Sequence, residues 1–202
     1  MKTKNHIKTI LTTPFIAILF ICCKDEKKTT DENNNHSEHK MEEKSKPTGK
    51  KVLSPHTSVM AMISDAHIHI DYSSPDVRRR IVFGGLVGYN YVWQAGVHRA
   101  TWIETSMDLV MHGEVLPKGK YDFFTIPSKE NWTIMINKNW DQHGKDEYDG
   151  DEDVIRFKVT PIISNEITEH LEYKVNKVSE EEGSISLAWE KVSLKFNFKI
   201  KN

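Results

Sequence analysis

The sequence predicts an all-β protein, an antiparallel β-sandwich or jelly-roll-like barrel of about eight to ten short strands. Three observations predict it. From Val52 onward apolar and polar residues alternate at period two; turn-forming residues punctuate these runs at short intervals; and no long helical periodicity interrupts them. Such alternation marks antiparallel sheets with one face buried and one solvated, because a parallel sheet covered by helices reads as continuous apolar runs.

Taken in chain order, residues 1–22 read as a lipoprotein signal peptide. Lys2, Lys4 and Lys8 precede an apolar run from Ile10 to Ile21 that ends at Cys22-Cys23. The run is shorter than the roughly 20 apolar residues of a spanning helix and falls within the roughly 7–15 of a secretory apolar region. Pro14 within it is tolerated poorly by a stable spanning helix. Phe20-Ile21-Cys22-Cys23 resembles a lipobox, with Phe20 in the place usually held by Leu. Lipidation is assigned to Cys23, because lipidation at Cys22 would put bulky Ile21 at the cleavage position. The expected membrane partner is thus reached through a lipid anchor, in the bacterial cell envelope and at its outer membrane. Lys24-Asp25-Glu26 resembles the Lys-plus-two-acids signal by which one phylum of Gram-negative bacteria sends lipoproteins to the cell surface. With both cysteines of the chain at this junction, no thiol remains to crosslink the domain, whose own core must hold it.

Residues 23–51 comprise the lipidated cysteine and a tether. Positions 24–51 hold eight Lys and seven Asp or Glu, with Met41 as the only large apolar residue. Nothing there offsets the entropy of ordering, and the segment is expected to behave as a disordered charged linker. His36 and His39 belong to that solvated stretch.

Residues 52–202 form the single domain. Ala66, Ile68, Ile70 and Tyr72 alternate with His67, His69 and Asp71; Ile155, Phe157 and Val159 with Arg156, Lys158 and Thr160; Leu171, Tyr173 and Val175 with Glu172, Lys174 and Asn176. Val192, Leu194, Phe196, Phe198 and Ile200 form the last apolar set. Turn chemistry separates these runs at Ser73-Ser74-Pro75-Asp76, Gly84-Gly85, Leu116-Pro117-Lys118-Gly119, Ile126-Pro127-Ser128 and Tyr148-Asp149-Gly150-Asp151. The five Trp residues, at 93, 102, 132, 140 and 189, are expected to fill the core. This domain carries a net charge of -5, against +3 for residues 1–23 and +1 for 24–51. Only Arg78, Arg79 and Arg80 approach a basic stripe, so nucleic acid is excluded as the expected partner.

Several blocks resemble those of DUF2911, a bacterial family of unknown function whose members are commonly small exported or lipid-anchored proteins. Tyr72-Ser73-Ser74-Pro75 with Arg80-Ile81-Val82-Phe83-Gly84 is similar to the family's Tyr-Ser-Arg-Pro and Gly-Arg…Ile-Phe-Gly blocks. Trp93-Gln94-Ala95-Gly96-Val97-His98-Arg99-Ala100-Thr101 is similar to Trp-Arg-Thr-Gly-Ala-Asn-Glu-Ala-Thr. Leu116-Pro117-Lys118-Gly119-Lys120-Tyr121 with Ile126-Pro127, and Asn131-Trp132-Thr133 through Asn137-Lys138, complete the likeness over residues 54–156. Ser74, Arg79, Gln94, His98 and Arg99 depart from the family pattern. The resemblance therefore implies fold and export and transfers no reaction.

Two constellations carry candidate chemistry. His67 and His69, at i and i+2, point to one strand face about 7 Å apart at the backbone and can converge on a metal, with Asp65, Asp71, His98 or His112 as possible further ligands. This is the basis of the alternative function, a metal-dependent hydrolase; against it stands the plain reading of two polar residues on the wet side of a strand. Arg80, Trp93, Gln94 and His98 combine an aromatic ring with hydrogen-bonding groups and suit a glycan, peptide or envelope-protein ligand. The competing reading is that Arg80 neutralises an acidic neighbour and Trp93 fills the core. Asp149, Asp151 and Asp153 open like a calcium loop, but Val154 and Thr160 stand where Gly and Glu are needed. Gly84-Gly85…Gly88 lacks the phosphate-cradle order, Ser106, Asp108 and His98 lack a nucleophile elbow, and no cofactor motif is present. The leading expectation is a non-enzymatic envelope lipoprotein whose domain binds a ligand or partner, with no catalytic residue assigned.

Overall fold

Where the sequence alternates, the chain is extended. The computed structural model describes residues 53–201, so the signal peptide, Cys23, the tether and the domain's terminal Val52 and Asn202 lie outside the described residues. Ten strands follow in order: β1 (His56–Ile63), β2 (Ala66–Ser73), β3 (Thr101–Thr105), β4 (Leu109–Met111), β5 (Glu114–Leu116), β6 (Gly119–Ile126), β7 (Trp132–Asn137), β8 (Asp153–Val159), β9 (Ile162–Lys177) and β10 (Glu182–Ile200). A three-residue 3-10 turn at Gly150–Glu152 precedes β8 and is capped by the Asp149 carboxylate, which accepts from the Asp151 N–H. The acidic cluster is thus a capped turn leading into a strand.

The strands form two antiparallel sheets, six strands ordered β1-β2-β3-β6-β7-β8 and four ordered β5-β4-β10-β9. After β3 the chain leaves the first sheet, builds the β4–β5 hairpin on the edge of the second, and returns as β6 beside β3. That excursion gives a sandwich, since the two sheets share one core between their inner faces.

Every apolar set named from the sequence faces that core. Ile68, Ile70, Ile155, Leu171, Leu194 and Phe198 are at most 1% exposed. Val192 alone is only half-buried, because β10 changes face just before it. Ile185, Leu187 and Trp189 point inward at odd positions and Leu194, Phe196, Phe198 and Ile200 at even ones, with the β9 pairing slipping at Glu190. The slip is a bulge. It places Glu190 at φ +56°, where its Oε2 accepts from the N–H groups of Val82 (3.3 Å) and Phe83 (3.4 Å).

Two expectations are corrected. The strands are not uniformly short: β9 and β10 run 16 and 19 residues and form one long hairpin. Nor do all the Trp residues fill the core. Trp93, Trp132 and Trp189 do, whereas Trp102 is half-buried and Trp140 is exposed on the outer side. The Lys120 ammonium lies 3.5 Å from the centroid of Trp102 and 4.0 Å from that of Trp140. These two rings clasp a cation instead of filling space.

Candidate functional site

Between β2 and β3 the chain runs from Ser74 to Ala100 without a named strand. Its backbone cannot satisfy itself in a ladder, so side chains and single bridges from the sheets hold it. Ser74 Oγ donates to Leu171 O (2.7 Å), and Val77 N to Glu169 O (2.8 Å). Trp93 and Thr125 exchange both backbone hydrogen bonds, at 2.8 and 2.9 Å. Ala95 O accepts from Tyr173 Oη (2.8 Å) and Thr101 Oγ1 (3.0 Å). Tyr173 is buried and its phenol pKa is pushed far up by desolvation, so it remains a hydrogen-bond donor. Gly85 makes the tight turn possible: a Cβ there would lie 2.3 Å from Ile81 O.

Held in this way, the segment walls a cavity of about 540 Å³, within the size range of small-ligand sites. Arg80, Trp93, Gln94 and His98, singled out from the sequence, all line it. The Arg80 guanidinium is oriented by donating from Nε to Val77 O (3.0 Å) and from Nη2 to Asp76 O (2.7 Å). Trp93 is also a core residue: it stacks on Trp189 with centroids 5.9 Å apart, and its indole N–H donates to Gly96 O (2.9 Å). It therefore offers a rigid wall, while polar contact falls to its half-buried neighbour Gln94. His98, at φ +66°, stands exposed at the cavity.

The wall also contains residues that sequence reasoning missed. Arg78 and Lys145 join Arg80 as cations, Tyr91 adds a second ring, and Trp189 comes from β10. Arg78 is partly committed, with Nε 3.5 Å from Asp76 Oδ2. Among the described residues that line the cavity there is no Asp or Glu. The charged side chains that line it are thus Arg78, Arg80 and Lys145, with the Asp76 carboxylate beside Arg78.

His67 and His69 do not line this cavity. They sit on the outer face of β2 with ring centroids 6.1 Å apart, and His69 packs edge-on against Trp102 at 4.8 Å. Their expected further ligands are used elsewhere. Asp71 Oδ1 pairs with His56 Nε2 at 2.7 Å, His112 stacks on Phe157 at 4.3 Å, and His98 belongs to the cavity. Asp65 sits in the two-residue turn between β1 and β2. Among the described residues no group of three or more His, Cys, Asp or Glu is placed to hold a metal ion.

The model of a protein family of unknown function, DUF2911, matches residues 54–198. The chain belongs to the DUF2911 family. The match runs from just before β1 to Phe198 near the end of β10, so it takes in nearly all of the sandwich and every cavity-lining residue but Leu53. No curated protein and no solved structure matches the chain.

Proposed function

We propose that this protein is a lipoprotein of the bacterial envelope, anchored through Cys23, whose DUF2911 domain binds a small carboxylate-bearing ligand. The observation that carries the binding proposal is the convergence of Arg80, Trp93, Gln94 and His98 on one cavity whose lining holds cations and no carboxylate. An arginine with a fixed guanidinium favours planar oxyanions, and an adjacent ring and amide favour a compact organic body such as an acidic sugar or the end of a peptide. The anchor is supported by the short apolar segment ending in Phe20-Ile21-Cys22-Cys23. A diacylglyceryl group with an added acyl chain meets the two-signal requirement for stable attachment.

The binding proposal is tested by thermal shift of the full chain with uronate oligosaccharides, short peptides with free C-termini, and their neutral or amidated counterparts. A ligand at a hundredfold its Kd adds about 2.7 kcal/mol, which for a domain of this size raises the melting midpoint by roughly 5–10 °C. The shift is expected with the carboxylates, reduced in Arg80→Gln and in Gln94→Ala. Equal shifts with neutral counterparts, or unchanged shifts in both variants, would refute it. The sugar and peptide arms separate the two sources of the carboxylate. For the anchor, Cys23→Ser is expected to abolish palmitate labelling and membrane retention; a labelled, membrane-bound variant would overturn the assignment.

A further inference from the structure

The outer face of the β1–β2 hairpin presents a second constellation, separate from the cavity. In the antiparallel register Met60 stands opposite His69 and Met62 opposite His67. Directly opposed residues of a strand pair project to the same face with Cβ atoms about 4.5–5.5 Å apart, and diagonal neighbours lie about 7–8 Å apart. Two thioethers and two imidazoles therefore occupy the corners of one small quadrilateral.

Three features set this patch apart from an ordinary wet strand face. Met60 and Met62 are 58% and 57% exposed, although every other position of β1 that faces this side is polar: His56 and Ser58. Methionine is usually a filler of apolar gaps, and here both sulfurs are offered to solvent beside histidines. His69 Nε2 is screened from solvent, with no hydrogen-bond partner among the described residues, a condition that in folded proteins calls for an explanation such as an ion. Trp102 shields His69 on one flank.

The donor types select the metal. Among the described residues no third His, Cys, Asp or Glu completes a set with His67 and His69, so these residues do not assemble the three-ligand zinc arrangement of a hydrolase. Thioether sulfur is a soft donor suited to Cu(I), and imidazole also suits copper. We propose that Met60, Met62, His67 and His69 form a surface site for a single Cu(I) ion, with mixed sulfur and nitrogen ligation on the hairpin face. The preceding turn fixes the register: Ser64, at φ +50°, and Asp65 join the strands in two residues, so the Met-x-Met and His-x-His pairs cannot slip past one another.

The test uses the full chain carrying Cys22→Ser and Cys23→Ser, so that thiols do not compete, titrated anaerobically with Cu(I) against bicinchoninate. One equivalent is expected to be retained, and copper-edge X-ray absorption is expected to show both sulfur and nitrogen neighbours. The Met60→Leu/Met62→Leu and His67→Gln/His69→Gln double variants are each expected to weaken binding by more than the roughly 10–100-fold typical of losing a supporting partner. Residues His36, His39 and Met41 are present in every variant, so the difference reports the hairpin alone. Met→Leu conserves volume at exposed positions, and the metal-free melting midpoint is expected to stay unchanged; the single variants and the sulfur signal of the parent serve should the double variant fold poorly. Failure to retain Cu(I), a shell of nitrogen and oxygen only, or undiminished binding by the methionine double variant would each overturn the proposal.

Discussion

Asp122 should make the domain less stable as pH rises through the mildly acidic range. It lies on β6, fully buried, with Oδ2 accepting from the Gln142 N–H at 3.3 Å and Oδ1 without a hydrogen-bond partner among the described residues. Burial pushes its pKa up to about 6; the Asp141 carboxylate adds to the rise, while the backbone amides of Gln142 and Asp141 and the Lys120 ammonium oppose it. Because the folded value lies above the unfolded one of about 3.9, the folded state holds the proton more tightly. The stability that Asp122 contributes is therefore fully present below about pH 4, is lost as pH rises through about 6, and stays lost above it. A rise of about two pH units corresponds to about 3 kcal/mol at pH 8. Asp122→Asn keeps an oxygen for Gln142 and removes the ionisation. Its melting midpoint relative to wild type should rise between pH 4 and pH 8 by roughly 5–10 °C. Calorimetry at the two pH values cancels every constant effect of the substitution. The same midpoint difference at both would refute the reasoning.

Three further outcomes follow from packing. Phe196→Ala should lose about 3–5 kcal/mol in denaturant unfolding, since its ring is buried against Phe123 and Phe157, whereas Lys195→Ala on the wet face should stay within about 0.5 kcal/mol. Gly183→Ala should lose about 1–3 kcal/mol in the same assay, because the added Cβ would lie 2.3 Å from Cζ of the buried Phe198 ring. Tyr173→Phe should cost about 1 kcal/mol through the lost bond to Ala95 O and should also reduce the ligand-induced thermal shift, although Tyr173 does not line the cavity.

The sandwich was legible because burial follows strand parity. Ala66, Ile68, Ile70 and Tyr72, and likewise Ile155, Phe157 and Val159, could face inward in only one register. β1 was not legible in the same way, because its outer face carries Met60 and Met62, and a thioether reads as apolar whichever way it points. The β10 bulge had a visible mark: inward residues shift from Trp189 to Leu194, an odd-to-even change that strict alternation cannot produce. Trp140 and Trp102 misled for the opposite reason. Aromatic size predicts burial on average, and nothing local in the sequence announces that Lys120 from another strand will sit between them. At the cavity, Arg80, Trp93, Gln94 and His98 were traceable because they fall where alternation lapses; Lys145, from the distant loop before β8, had no such signal.

That lapse explains why the site lies where it does. A regular strand commits its backbone to a ladder and its side chains to two fixed faces, leaving little concave surface between sheets. Residues 74–100 are released from that constraint, and their backbone groups are satisfied instead by Leu171 and Glu169 on β9, Thr125 on β6 and the Tyr173 hydroxyl. Each anchor comes from a strand whose position is set by the core, so the irregular wall inherits the rigidity of the sheets. Arg80 and Gln94 can thus be held at defined positions without contributing to the core themselves. Under the binding proposal, the affinity of such a wall would depend as much on Tyr173 and Thr125, which keep it from spreading, as on the side chains that would meet the ligand.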